Sequence, residues 1–247
     1  MRFPIIPTAL VACLTLGLAP TLSLADTADA AGSAAAADSS NEGNDAAADA
    51  VPTGGLQVFG GLGLGANFNP DGKGSGTQTD VNGYVEAEVN HVYFGAYGDL
   101  YNTKLINEID LYFGYRSETA GGLSYDVNYY RYFYPNDGGN CCGELGLSLG
   151  QSLNDKLSAS LDLAYDPEAA LANAHLGLQY GLTDKVSVEG KVGVSQNDGA
   201  ALTKEWELGV SYALSDTTAV QLTYNDGNDY PGYFGLTMNF DTTLFSR

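Results

Sequence analysis

From Gly54 to the C-terminus, apolar side chains recur at every second position, and the pattern restarts after each of a series of Gly-, Asn- and Asp-rich breaks. Successive side chains of a strand point to opposite faces, so this period commits the chain to two-faced strands and excludes helices, whose period is 3.6. The first segments are carried by Leu56/Val58/Leu62/Leu64/Phe68, Val81/Val85/Ala87/Val89, Phe94/Ala96/Leu100 and Ile109/Leu111/Phe113/Tyr115. The middle ones are Leu123/Tyr125/Val127/Tyr129/Phe133, Leu145/Leu147/Leu149, Leu157/Ala159/Leu161/Leu163/Tyr165 and Leu176/Leu178/Tyr180/Leu182. The last are Val186/Val188/Val192/Val194, Trp206/Leu208/Val210/Tyr212/Leu214, Val220/Leu222/Tyr224 and Phe234/Leu236/Met238/Phe240, which makes twelve. Each runs to roughly nine to eleven residues, the length a tilted strand needs to cross a bilayer.

The other parity is polar and acidic. Glu86, Glu88, Asp99, Glu108, Asp110, Asp126, Glu144, Asp162, Glu189 and Glu207 lie on it, against Arg116 and Lys191. On the apolar parity one charge is expected, Arg131, near a strand end where a long side chain snorkels to headgroup phosphates. A soluble sheet also has a dry and a wet face, so alternation alone does not separate a sandwich from a membrane barrel.

The connections do. Those after the odd segments are mostly long, such as Asn69 to Asp80, Tyr134 to Gly143, Ser195 to Lys204 and Asn225 to Gly232. Those after the even ones tend to be shorter: Asn90-His91, Thr183 to Lys185 and Ser215 to Thr218, with Arg116 to Gly122 and Gly150 to Lys156 as longer members. Long loops at one end, short turns at the other and an even strand count predict an all-β, transmembrane antiparallel up-and-down barrel over residues 54–247, with both termini on the short-turn side. The pieces LNDKLS, LTDKVS and LSDTTAV fall on that side and read as one turn chemistry used three times. Aromatics on the apolar parity gather at both strand ends, as interfacial belts require: Phe133, Tyr165, Trp206, Tyr224 and Phe234 at one, Tyr115, Tyr125, Tyr180, Tyr212 and Phe240 at the other.

Composition removes other classes. With 30 Asp+Glu against 10 Lys+Arg and a net charge of -20, the chain repels a phosphate backbone, so no nucleic-acid partner is expected. Three Cys are too few for a disulfide scaffold, and no stretch beyond the N-terminus is long and apolar enough for a membrane helix. Residues 1–25 read as a signal peptide: Arg2 leads an apolar run, and Ser23-Leu24-Ala25 fits a cleavage site. Residues 26–53, rich in Ala and Asp, bury too little to offset chain entropy and are expected to be a disordered linker.

Thr77 to Asn102, TQTDVNGYVEAEVNHVYFGAYGDLYN, and Glu108 to Pro135, a Tyr/Gly-rich hairpin ending in Tyr132-Phe133-Tyr134-Pro135, resemble the TorF-type porin family of bacterial outer-membrane proteins, also labelled Gcw_chp. The resemblance covers roughly residues 54 to 240, strongest in the middle. It implies a β-barrel and solute passage and brings no catalytic residues. The chain departs from the pattern in its first strand, GGLGLGANFN, and at its end, TTLFSR, where Phe245 is not terminal.

Candidate chemistry is sparse. His91 falls in a turn and His175 on the polar parity, neither with triad or metal-ligand spacing, so no enzyme, metal or cofactor is expected. Cys141 and Cys142 form a disulfide candidate in the long connection after the fifth segment, stiffening a loop. Twelve strands fall between barrels filled by side chains and wide porins, so the expected pore is narrow. Glu86, Glu88, Asp110, Asp126, Glu144, Glu189, Lys191, Tyr112 and Tyr130 are the expected pore-lining residues, the acids selecting cations and the tyrosines offering stacking surfaces. The resulting expectation is a small-solute porin in the cell outer membrane, contacting lipid and lipopolysaccharide and delivered by the barrel-assembly machinery. The alternative is a non-conducting barrel acting as adhesin or anchor.

Overall fold

A strand with one apolar and one polar face needs different surroundings on its two sides, and rolling the sheet into a cylinder supplies them. The computed structural model describes residues 55–70, 77–102, 107–136, 138–196 and 202–247 and contains twelve strands. They are β1 (Leu56–Phe68), β2 (Gln78–Val89), β3 (Val92–Tyr101), β4 (Glu108–Glu118), β5 (Leu123–Tyr134) and β6 (Gly139–Asn154). There follow β7 (Leu157–Asp166), β8 (Leu171–Gly181), β9 (Val186–Ser195), β10 (Thr203–Ser215), β11 (Thr218–Gly227) and β12 (Tyr233–Ser246). Each pairs antiparallel with its neighbours in sequence, and β1 pairs with β12, so the sheet is a closed barrel with no edge. Closure satisfies the backbone groups that an open edge would strand in hydrocarbon. The expected signal peptide and linker lie outside the described residues.

Burial is inverted relative to a soluble protein. Leu62 and Phe94 are each 64 % exposed, and Val85, Leu111, Phe113, Leu176 and Leu208 stand outside with them. The interior holds Asn, Ser, Thr, Glu, Asp and Tyr. An apolar exterior of this extent is disfavoured in water by about 25 cal/mol per Å² and satisfied by lipid.

The turns follow local side-chain chemistry. Asn90 and His91 both have positive φ, 51° and 71°, the conformation of a two-residue hairpin turn that matches strand twist. In the three related turns, the residue before Asp accepts backbone N–H bonds from beyond it. Asn154 Oδ1 takes Lys156 and Leu157 at 3.0 Å, Thr183 Oγ1 takes Val186 at 3.0 Å, and Ser215 Oγ takes Thr217 at 3.3 Å.

Several boundaries differ from the sequence expectation. The Arg116 to Gly122 connection tightens to residues 119–122 and the Gly150 to Lys156 one to 155–156, because polar lumen residues continue the strands where apolar ones stop. The long connection after the fifth segment shrinks to residues 135–138, so Cys141 and Cys142 are not in a loop: they belong to β6. Arg131 pairs with Gly143 and Phe133 with Asn140, leaving Tyr132 alone opposite the two cysteines. The bonded Cys141–Cys142 pair is therefore a β-bulge. Arg131 is also not the lone charge on the outward parity, since Lys204 and Asp226 share it at the loop ends of β10 and β11. Arg131 itself donates to Asn140 Oδ1 at 2.7 Å and pairs with Glu168 of the β7–β8 turn.

Outside, Phe68, Phe234, Tyr224 and Trp206 form a chain of ring contacts with centroids 5.0 to 5.6 Å apart across β1, β12, β11 and β10. At the short-turn end Tyr115 meets Tyr125 at 6.2 Å.

Candidate functional site: the barrel interior

The cross-strand register stacks inward-facing residues into rows. One runs Tyr84, Tyr97, Asp110 and Tyr132 from β2 to β5; the next, nearer the short turns, is Glu86, Gly95, Tyr112, Tyr130 and Glu144. Below it lie Glu88, Tyr93, Gly114, Asn128 and Gly146. Glycine at these positions has a direct role, because a Cβ on Gly95 would overlap the Tyr112 ring and one on Gly114 the Tyr93 ring. With no side chain on the neighbouring strand, each ring lies against the barrel wall.

The result is a tyrosine column on one half of the wall. Tyr93 and Tyr112 meet edge to face at 6.1 Å, Tyr112 and Tyr130 stack at 5.0 Å, and Tyr130 and Tyr132 stack at 6.3 Å. Cys142 packs against its loop-side end. At the other end Arg116 lies over Tyr93 at 3.9 Å and pairs with Glu86 and, at 3.1 Å, Glu88. Tyr93 Oη in turn donates to Asp126 at 2.6 Å, and Tyr132 Oη donates to Glu144 at 3.2 Å. One network thus joins strands β2 to β6.

The opposite half of the wall carries small polar side chains and carboxylates. Ser187, Ser195, Ser211, Thr203, Thr223, Thr237, Gln221, Asn225 and Asn239 all face inward. Gln221 donates to Glu189, and Lys191 sits directly across from Glu207 in the β9–β10 ladder. Glu205 Oε1 accepts from Ser195 Oγ at 2.7 Å and contacts His175 Nε2 at 2.9 Å, while Tyr230 donates to Glu205 Oε2 at 3.3 Å. Burial first, and then the Glu205 carboxylate beside it, push the Tyr230 phenol above its ordinary value. A recess of about 250 Å³, counting space open to solvent, lies among His175, Lys191, Glu205, Glu207 and Tyr230.

Every residue expected to line a pore falls on the inward face: Glu86, Glu88, Asp110, Glu189, Lys191, Tyr112 and Tyr130 are buried there, and Asp126 and Glu144 are half-buried. The structure adds Glu205 and Asp241 to the inward acids, the latter accepting from Tyr84 Oη at 3.0 Å. Glu205 escapes the sequence pattern because its outward neighbour Lys204 is charged, which hides the start of β10. Asp241 escapes because β12 continues past Phe240 through Thr242 and Thr243.

The Ser195, Glu205 and His175 cluster does not form a nucleophile relay, because the carboxylate stands between the hydroxyl and the imidazole. A relay places the imidazole in the middle, where it takes the hydroxyl proton. Among the described residues, no group of His, Cys, Asp and Glu is arranged to hold a metal ion.

These features define a closed, twelve-stranded antiparallel barrel with an apolar exterior and an acidic, tyrosine-bearing interior. The chain is similar in fold to a solved KdgM porin, with a TM-score of 0.58 at 8 % identity over 73 % of this chain and 98 % of that one. It is similar also to a NanC porin (TM-score 0.54, 10 % identity, 74 % and 100 % covered) and to a KdgM porin in complex with disordered oligogalacturonate (0.52, 9 %, 73 % and 98 %). No family model and no curated protein matches the chain, so the TorF-type resemblance rests on the quoted residues alone.

Proposed function

We propose that this chain is a narrow outer-membrane channel for small solutes that prefers cations and performs no chemistry on them. The observation that carries the reading is the sign of the interior. Glu86, Glu88, Asp99, Glu108, Asp110, Asp162, Glu189, Glu205 and Glu207 are buried within the barrel, against Lys191 and the half-buried Arg116. Fixed carboxylates in a low-dielectric wall concentrate cations and repel anions. The fold shared with KdgM and NanC porins supports passage, and the apolar exterior supports a lipid-embedded barrel with termini in the periplasm and long loops outside. Lipid, lipopolysaccharide and the assembly machinery are its partners under this reading. One of those neighbours is a complex with oligogalacturonate, a polyanion, whereas the acidic interior here disfavours such a solute.

The side-chain packing favours a second reading, a non-conducting barrel serving as adhesin or anchor: Glu86 and Asp110 are 0 % exposed and Tyr93 and Tyr130 are 1 %. Planar bilayers with a KCl gradient separate the two. Single-channel steps with a reversal potential toward the K⁺ equilibrium value support the channel; absence of steps supports the anchor, and a reversal toward Cl⁻ overturns the charge argument.

A further inference from the structure

The Cys141–Cys142 bond stands where a reactant can meet it. Tyr132 faces the lumen, and the bulge sets both cysteines opposite it, so the bonded pair lies on the inner side of β6 at the loop-side mouth. The two residues differ in their surroundings. Cys142 packs against the tyrosine column and is half-buried, while Cys141 is exposed.

The bond joins no two strands. Arg131↔Gly143 and Phe133↔Asn140 hold the bulge through the backbone ladder, so opening the bond leaves the register in place. A disulfide that is reachable and closes almost no chain belongs to the labile kind, which exchanges with free thiols. Charge decides which thiols arrive. Glu144 lies two residues along β6 and accepts from Tyr132 Oη at 3.2 Å, and Asp99 and Glu108 face each other on β3 and β4 at the same end of the barrel. Carboxylates around a narrow mouth raise the local concentration of cations and lower that of anions.

We propose that Cys141–Cys142 is a thiol–disulfide exchange site for small cationic aminothiols. The incoming thiolate attacks Cys141 Sγ and forms a new S–S bond to it. The Cys141–Cys142 bond breaks, its electron pair leaves on Cys142 Sγ, and that sulfur takes up the proton the incoming thiol gave to water. One disulfide and one thiol enter the step and one of each leaves, so the aminothiol is the only co-reactant. The product carries a cationic adduct in the mouth. This inference goes beyond the channel reading and stands without it, since the sulfur is reached from the mouth whether or not the lumen conducts.

Peptide mass spectrometry of the folded full chain in detergent micelles tests it, with cysteamine as the aminothiol and mercaptoacetate as the anionic control. Excess N-ethylmaleimide at early times quenches the reaction and caps the released thiol. The expected product carries cysteamine on Cys141 and maleimide on Cys142. Normalised to the urea-denatured chain, cysteamine should react about tenfold or more faster than mercaptoacetate, and about 1 M KCl should remove most of that preference. Glu144→Gln should narrow the preference several-fold while leaving exchange intact, and Ser148→Ala, further along β6, should leave both unchanged. A heat-dependent gel shift verifies that each variant is folded. No adduct before denaturation, cysteamine on Cys142 with Cys141 capped, or equal normalised rates for the two thiols overturns the proposal. Current in planar bilayers without exchange removes this inference and keeps the channel; exchange on a barrel that carries no current does the reverse.

Discussion

Arg116 lies across the face of Tyr93, 3.9 Å from the ring centre, and the same tyrosine donates to Asp126 at 2.6 Å. The guanidinium also pairs with Glu86 and Glu88, so one side chain on β4 ties together β2, β3 and, through Tyr93, β5. Removing it would leave Glu86, which is fully buried, without its counter-charge. Breaking a buried pair from one side destabilises by about 3 to 5 kcal/mol. Arg116→Ala is therefore expected to lower the urea midpoint of the folded barrel by that order. Adding Glu86→Gln and Glu88→Gln should recover part of the loss; a strictly additive triple variant would refute the network.

Strand glycines should divide into two groups, those facing in beneath a ring and those facing out. Gly114→Ala places a methyl group inside the Tyr93 ring position and is expected to destabilise by about 1 to 3 kcal/mol. Gly98→Ala meets only the Glu108 carbonyl oxygen at 3.8 Å and should lie within about 0.5 kcal/mol of the parent. Equal effects on the heat-dependent gel shift or the urea midpoint would contradict the ring-on-glycine packing.

Charge changes on the β9–β10 wall have opposite expected signs. Lys191 faces Glu207 in the ladder. Neutralising the acid in Glu207→Gln should move the reversal potential toward zero, and Lys191→Gln should move it further toward the K⁺ value. Shifts in the same direction for both would remove the electrostatic account of selectivity.

Trp206 is the only tryptophan and stands outward, 5.4 Å from Tyr224, near the loop end of β10. In liposomes its fluorescence is expected to be quenched more by lipids brominated close to the headgroup than by those brominated near the chain end. Aqueous acrylamide should have little effect. Strong acrylamide quenching would place this face in water.

The Cys141–Cys142 bond joins neighbours in sequence, so it closes almost no loop and should contribute little chain-entropy stabilisation. Cys141→Ser with Cys142→Ser is expected to shift the urea midpoint by less than about 1 kcal/mol equivalent. The bulge should persist, because Arg131↔Gly143 and Phe133↔Asn140 set it from both sides. Alkylation of the denatured, unreduced barrel fragment should leave both thiols unlabelled.

What is legible from sequence follows from the pleat. Two-residue periodicity assigns each side chain to a face regardless of its neighbours, so the inward position of Glu86, Asp110, Glu189 and Lys191 could be read before any pairing was known. The Asn154, Thr183 and Ser215 turns were readable for the same local reason, since each acts on amides two or three residues away. Where the outward partner is polar the contrast vanishes, which is why Thr203 to Glu205 and the stretch beyond Phe240 were not seen as strand.

The amino-acid order alone determined strand number, facing and the sidedness of the connections, because these depend on residues close together in the chain. Only the closed tertiary structure decided which inward residues meet: Arg116 with Glu86 thirty positions away, Tyr84 with Asp241 across the β1–β12 closure, and the two cysteines against a single Tyr132. Those contacts depend on register around the cylinder, and a shift of one residue between two strands would send each side chain to the other face.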